Sequence, residues 1–256
     1  MRYLPRVEPA PAVLVAVTAV HLGAQLLAPD GFVSQASQVL LMPALAWVLV
    51  SRTRRPRGRL VRLTLLALGF SWLGDAAPRL LDGDQGFLVL VGFFLLAQVA
   101  YVAAFLPHWR RSVASRSPLL LLPYAAGLVA LVMLTRDGAG SLLGPVLVYG
   151  VALCAMAVLS TGLGWVGGLG GAIFLVSDSL IALRAFADLE LPAHGFWVML
   201  TYVLGQTLLV LAVATWAAPH PDNPARDELS GTRGRGGAEG SLRRSQPSGI
   251  RPSVGP

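Results

Sequence analysis

The sequence contains no lysine, so all 20 of its basic residues are arginine. It has a single cysteine, Cys154, which excludes an intrachain disulfide framework and a cysteine-built metal site. Charge is scarce too, at 13% of residues, roughly half of what a soluble domain carries. The four histidines (His21, His108, His194 and His220) are scattered, with no histidine or cysteine three or four residues away. Neither a nucleophile elbow nor a Ser-His-Asp pattern is present. No metal and no cofactor is therefore expected.

What fills the chain is apolar. Hydrophobic residues make up 55% of it, and the mean hydropathy is +0.65. Eight apolar segments can be marked, at about 11–29, 33–51, 60–80, 86–106, 118–135, 142–160, 163–186 and 196–217. Each is close to the length needed to cross a hydrocarbon core ~30 Å thick at 1.5 Å per residue. Arg2 and Arg6 give the first segment the look of a signal peptide, but seven similar segments follow it, so it reads as a span. The expected fold is all-α: a polytopic membrane bundle of about eight transmembrane helices within residues 1–217.

Arginine placement orients this bundle. With the N-terminus inside, seventeen of the twenty arginines fall on the cytoplasmic side and only Arg79, Arg136 and Arg184 on the other. That asymmetry predicts N-in, C-in and an even number of spans. Arginine-only basicity with abundant Ala, Gly, Leu, Val and Pro suggests a GC-rich bacterial genome, hence a bacterial cytoplasmic membrane. The net charge of +7 lies in loops flanking apolar helices and in the tail, so anionic lipid head groups are its expected partner. Residues 218–256 are rich in Arg, Gly, Pro and Ser and cannot bury enough apolar surface to order themselves, so a disordered cytoplasmic tail is expected. Its Gly231–Gly237 run faintly resembles an RNA-binding Gly/Arg segment, but a solvated tail near lipid is preferred and no nucleic-acid partner is expected. In the seventh segment, the spacings Gly164/Gly168 and Gly167/Gly171 suit close helix packing.

Against this background two carboxylates stand out. Asp75 and Asp178 each lie about fifteen residues into segments three and seven, which run in the same direction. An ionisable group at such depth is costly and usually functional. The plain alternative for Asp75 is an ion pair with Arg79, one turn on; Asp178 has no such neighbour, since Arg184 is six residues away. A protonated and an ionised carboxyl side by side would make a general acid and a general base. Other polar side chains reach similar depth: His21, Gln25, Gln38, Gln98, Tyr149, Tyr202 and Gln206. Taken singly each suits a helix–helix hydrogen bond; as a set they suit a polar cavity around the aspartates.

These residues carry a resemblance. Phe70-Ser71-Trp72-Leu73-Gly74-Asp75 resembles the Phe-Ser-x-x-Gly-Asp of the YhhN, or lysoplasmalogenase-like, membrane proteins. Gly92–Tyr101 is similar to the family's next helix, where a histidine is usual at the position of Gln98. Pro145-Val146-Leu147-Val148-Tyr149 resembles its Pro-Val-x-x-Tyr, Phe174–Ser179 its Phe-x-x-Ser-Asp-Ser, and Tyr202–Gln206 its Tyr-x-x-x-Gln. A Thr-Lys-Pro common in the family is replaced by Ser37-Gln38-Val39. The resemblance implies an intramembrane hydrolase that cleaves the vinyl-ether bond of lysoplasmalogens, or a related ether lysolipid, to a fatty aldehyde and a glycerophospho-alcohol. Asp75 and Asp178 would be the catalytic pair, with Ser71, Gln98, Tyr149, Ser177, Tyr202 and Gln206 orienting substrate or water. The substrate would be a lysophospholipid-type molecule taken from the bilayer. The alternative is a small transporter or proton-coupled carrier whose aspartates exchange protons.

Overall fold

Proline and glycine punctuate the chain into long helices. A computed structural model describes residues 9–81 and 83–218, without the side chains of residues 83 and 84. The expected tail therefore falls almost wholly outside the described residues. The helices are α1 (Pro9–Leu27), α2 (Phe32–Arg52), α3 (Arg59–Ala76), α4 (Gly83–Phe105), the single turn α5 (Val113–Arg116), α6 (Leu122–Ala139), α7 (Leu143–Ser160), α8 (Trp165–Ala187) and α9 (His194–Ala217). No strand interrupts them among the described residues.

Seven continuous helical stretches are long and apolar enough to cross a membrane. One of these, Pro118–Leu163, runs to 46 residues and holds both α6 and α7, joined by the tight turn Gly140–Leu142. Gly140 supplies a φ of +49° there, a backbone geometry that residues with a Cβ rarely adopt. The two helices fold back on each other: the Cys154 thiol faces the Tyr124 carbonyl, and Gly150 abuts Leu128 one turn nearer the bend. Eight long helices thus correspond to the eight apolar segments. α6 is displaced about four residues from the expected 118–135, because Thr135, Arg136 and Asp137 continue the helix instead of leaving it. The Thr135 hydroxyl meets its own hydrogen-bonding need at the Leu131 carbonyl within the helix, and Arg136 lies 3.4 Å from Asp137 on the exposed side.

Packing is antiparallel and glycine-mediated where helices come closest. On α8, Gly170 meets Gly205 of α9, and Gly171 meets Ala157 and Ser160 of α7; a Cβ on any of them would strike a neighbouring helix's backbone. Gly164, expected inside this helix, instead sits at its N-cap with φ +102°. Proline also acts inside a helix. Pro43 in α2 has no N–H to give the Val39 carbonyl one turn back, and the Trp72 indole of α3 donates to that oxygen at 3.0 Å. A helix defect is thereby turned into a helix–helix contact.

α9 is the most enclosed helix, with half of its apolar window buried, whereas α1 has 17% buried and lies at the margin. Tyr101, Phe105, Met156, Phe174, Leu209 and Val213 form the core around α9. The C-terminal ends of α1, α3, α6 and α8 and the N-terminal ends of α4 and α9 gather at one end of the bundle, as the ring contact Phe87–Phe186 (5.4 Å) and the approach of Gly138 to Phe186 show. At the opposite end His108, Arg111 and Trp216 meet.

Candidate active site

Asp75 is the penultimate residue of α3 and Asp178 lies past the middle of α8; they are 7% and 8% exposed. A carboxylate withdrawn from water needs hydrogen-bond donors in its place. For Asp75 they come from two other helices: Gln38 Nε2 of α2 donates to Oδ1 at 3.0 Å, and the Tyr202 hydroxyl of α9 donates to Oδ2 at 2.9 Å. For Asp178 the donor is the Tyr149 hydroxyl of α7, which bonds Oδ2. Each aspartate is thus held by a tyrosine from a neighbouring helix.

The expected ion pair of Asp75 with Arg79 takes another form. With both carboxylate oxygens engaged by Gln38 and Tyr202, the Arg79 guanidinium donates through Nε to the main-chain carbonyl of Asp75 (3.0 Å) and through Nη2 to Gln38 Oε1 (2.6 Å). Arg79 therefore orients the amide that holds Asp75. A second network lies one turn deeper on the same two helices. Gln206 Nε2 donates to Ser71 Oγ at 3.1 Å, while the Tyr101 hydroxyl donates to Gln206 Oε1. Ser71 and Asp75, like Tyr202 and Gln206, are four residues apart, so one α3–α9 register aligns both pairs.

Between the two aspartates stands Phe94 of α4. Its ring packs edge-on against Tyr202 (centroids 5.7 Å apart), lies over Gly74, and lines the cleft onto which Asp178 opens. Gly74 is small to admit this ring: a Cβ there would be 2.7 Å from Phe94 Cδ2. Phe174 closes the other side of Tyr202 at 5.6 Å.

Of the expected site residues, Asp75, Ser71, Tyr202 and Gln206 fall in the α3–α9 network, and Asp178 pairs with Tyr149. Ser177 instead spends its hydroxyl on the Val198 carbonyl of α9 at 3.0 Å. Gln98 is fully buried beside Tyr149, and neither of its amide atoms has a hydrogen-bond partner among the described residues. Sequence reasoning did not include Tyr101, Arg79 and Phe94 among the site residues. Tyr101 could have been found from its position one turn beyond Gln98 on the same face of α4.

Two spaces adjoin these groups. Asp178 and Tyr149 line a narrow cleft of about 40 Å³, otherwise walled by apolar side chains including Leu90, Val91 and Val146. Phe87 and Ile181 border both this cleft and a chamber of about 680 Å³, where Gln25, Asp30, Arg184, Glu190 and His194 are gathered. Asp75 lies behind Phe94, outside both spaces. Among the described residues no three His, Cys, Asp or Glu side chains converge as metal ligands would.

Long apolar helices enclosing a buried polar cluster beside an apolar cleft define a multi-pass membrane protein. The chain belongs to the YhhN family: the family's sequence model matches residues 32–213, from the first residue of α2 nearly to the end of α9. The resemblance read from the short motifs is borne out, and every residue of the two networks lies within the match, while α1 with His21 lies outside it. No match was found among curated proteins or among solved structures.

Proposed function

We propose that this protein is an intramembrane hydrolase of lysoplasmalogen type, acting on the vinyl-ether bond of a single-chain ether lipid. The observation that carries the reading is the placing of a tyrosine-held carboxyl, Asp178, on an apolar cleft next to a larger polar chamber. That combination suits an amphiphile whose ether linkage enters the cleft beside Asp178 while its head group lies among Gln25, Asp30, Arg184, Glu190 and His194. Family membership supports the same activity. The arginine-rich loops and Arg79, Arg136 and Arg184 fall at opposite ends of the helices, which supports an N-in, C-in bundle of eight spans.

The chemistry follows from the two environments. Asp75 accepts hydrogen bonds on both oxygens and serves as the carboxylate. Asp178, with only Oδ2 engaged among the described residues, serves as the acid. Asp178 delivers its proton to the β-carbon of the vinyl ether, and the electron pair of the C=C bond forms the new C–H bond. The α-carbon and ether oxygen then share an oxocarbenium charge, which the newly ionised Asp178 carboxylate stabilises at close range and the Asp75 carboxylate, behind the Phe94 ring, at longer range. Water adds to the α-carbon and loses its proton to the Asp178 carboxylate. The re-protonated Asp178 then gives its proton to the glycerol oxygen as the hemiacetal C–O bond breaks, and takes up the hemiacetal hydroxyl proton, giving the fatty aldehyde and the glycerophospho-alcohol.

The test supplies purified protein with a lysoplasmalogen and, separately, an acyl lysophospholipid. Aldehyde is expected from the first alone, and the release is expected to vanish in both Asp75→Asn and Asp178→Asn. Absence of turnover on every vinyl-ether and alkyl-ether lipid, with flux driven by a pH gradient instead, would sink the proposal.

A further inference from the structure

The cleft and the chamber meet at two side chains. Among the described residues only Phe87 of α4 and Ile181 of α8 border both spaces, so these two stand at the boundary between them. The Phe186 ring meets Phe87 edge-on at 5.4 Å, which limits how far Phe87 can swing aside. Along α8 the lining residues follow one another outward: Asp178 in the cleft, Ile181 at the boundary, Arg184 in the chamber. At 1.5 Å per residue, Ile181 lies about 4.5 Å beyond Asp178 along the helix axis and Arg184 about 9 Å beyond it. An ether lysolipid carries a matching spacing. Four bonds, about 5 Å when extended, separate the vinyl β-carbon from the middle carbon of glycerol, and the phosphorus is three bonds further on, about 9 Å in all.

We propose that Ile181 and Phe87 are the specificity-determining residues of the site, a collar that reads the size of the group on the middle glycerol carbon. Resting on the ether-lipid reading, this adds the residues that select one chain over two. With the β-carbon at Asp178 and the phosphate beside Arg184, the middle carbon falls at the collar, and its substituent must fit between the two side chains. Phe87 and Ile181 present only carbon there, so the collar discriminates by bulk and not by hydrogen bonding. A hydroxyl adds one heavy atom and can turn toward the polar chamber. An acyl group adds a planar carbonyl and a tail at the point where the two side chains close on the glycerol. A two-chain lipid is therefore stopped with its ether bond short of Asp178, whereas a single-chain lipid reaches it.

The experiment gives the purified protein in micelles four alkenyl-ether lipids with one head group, bearing a hydroxyl, methoxy, acetyl or long acyl group on the middle carbon. Wild type is expected to release aldehyde at least about tenfold more slowly from the acetyl than from the hydroxyl lipid, the scale on which a packed pocket discriminates by size. Ile181→Ala and Phe87→Leu are each expected to bring the acetyl-to-hydroxyl ratio up toward one. Ile181→Phe is expected to tighten the collar until even the methoxy lipid is refused. Leu90→Ala widens the cleft away from the chamber and, whatever it does to turnover, is expected to keep the wild-type ratio. A ratio taken within one protein does not depend on how much of a variant folds. The saturated 1-O-alkyl counterparts of the four lipids supply the same ratios as affinities, without turnover. If wild type cleaves no ether lipid, the hydrolase reading fails, and the affinity ratios alone decide the collar. Equal handling of the hydroxyl and acetyl lipids by wild type overturns the proposal. So do wild-type ratios in both Ile181→Ala and Phe87→Leu, or an equal shift in Leu90→Ala.

Discussion

Gly74 allows the α3–α4 contact to be tested quantitatively. A methyl group there would lie 2.7 and 2.8 Å from two carbons of the Phe94 ring, against the ~3.5–4.0 Å of a relaxed carbon–carbon contact. The ring has little freedom to yield, since Phe94 is 6% exposed and Tyr202 packs against its other side. Replacing glycine by alanine within a helix also brings a gain of roughly 1 kcal/mol, which would mask part of the clash. Gly69→Ala supplies the correction, because Gly69 lies on the same helix with nothing within 4 Å of its would-be Cβ. The difference between the two variants isolates overpacking, expected at about 1–3 kcal/mol against Gly74→Ala. Equilibrium unfolding in micelles measures both. Adding Phe94→Leu to Gly74→Ala should recover much of the loss, as contacting residues do in a double-mutant cycle. Equal stability of Gly74→Ala and Gly69→Ala would refute the reasoning, for the ring would then have room to move and could not fix Tyr202.

Two further outcomes follow from individual hydrogen bonds. Ser177→Ala removes the hydroxyl that bonds the Val198 carbonyl, and should lower stability by ~1 kcal/mol while leaving kcat for the ether lipid within about twofold of wild type. Trp72→Phe removes the donor to the Val39 carbonyl left open by Pro43, at a cost also near 1 kcal/mol. In a Pro43→Ala background the same substitution should cost less, because the alanine N–H can take over that carbonyl; thermal unfolding of the four proteins measures the coupling.

The helices were legible because lipid imposes a length on them. The second apolar segment, 33–51, became Phe32–Arg52 and the eighth, 196–217, became His194–Ala217. Legibility failed where a polar residue stayed helical, as in Thr135–Asp137, and where a glycine capped a helix rather than packing it, as at Gly164. The aspartates were visible as costly groups in apolar runs, but their partners were not. Local spacing pointed Asp75 to Arg79, whereas packing brings it Tyr202 from 127 positions away. Interhelical register is set by small residues such as Gly170, Gly205 and Gly74, and one chain read alone does not reveal which helix fills the space they leave. Gln98 and Gln206 looked alike in sequence for the same reason.

The reliance of Asp75 on the last helix also bears on how the protein is made. Tyr202 satisfies Asp75 and Gln206 satisfies Ser71, and both donors emerge from the ribosome more than a hundred residues after α3. Until α9 arrives, the nascent bundle must hold an incompletely paired acidic group within lipid, a state membrane chaperones and proteases are suited to detect. A chain truncated before His194 would therefore keep both aspartates but lose Tyr202 and Gln206, and the Asp75 carboxyl left without its tyrosine would carry the mark of an unfinished protein.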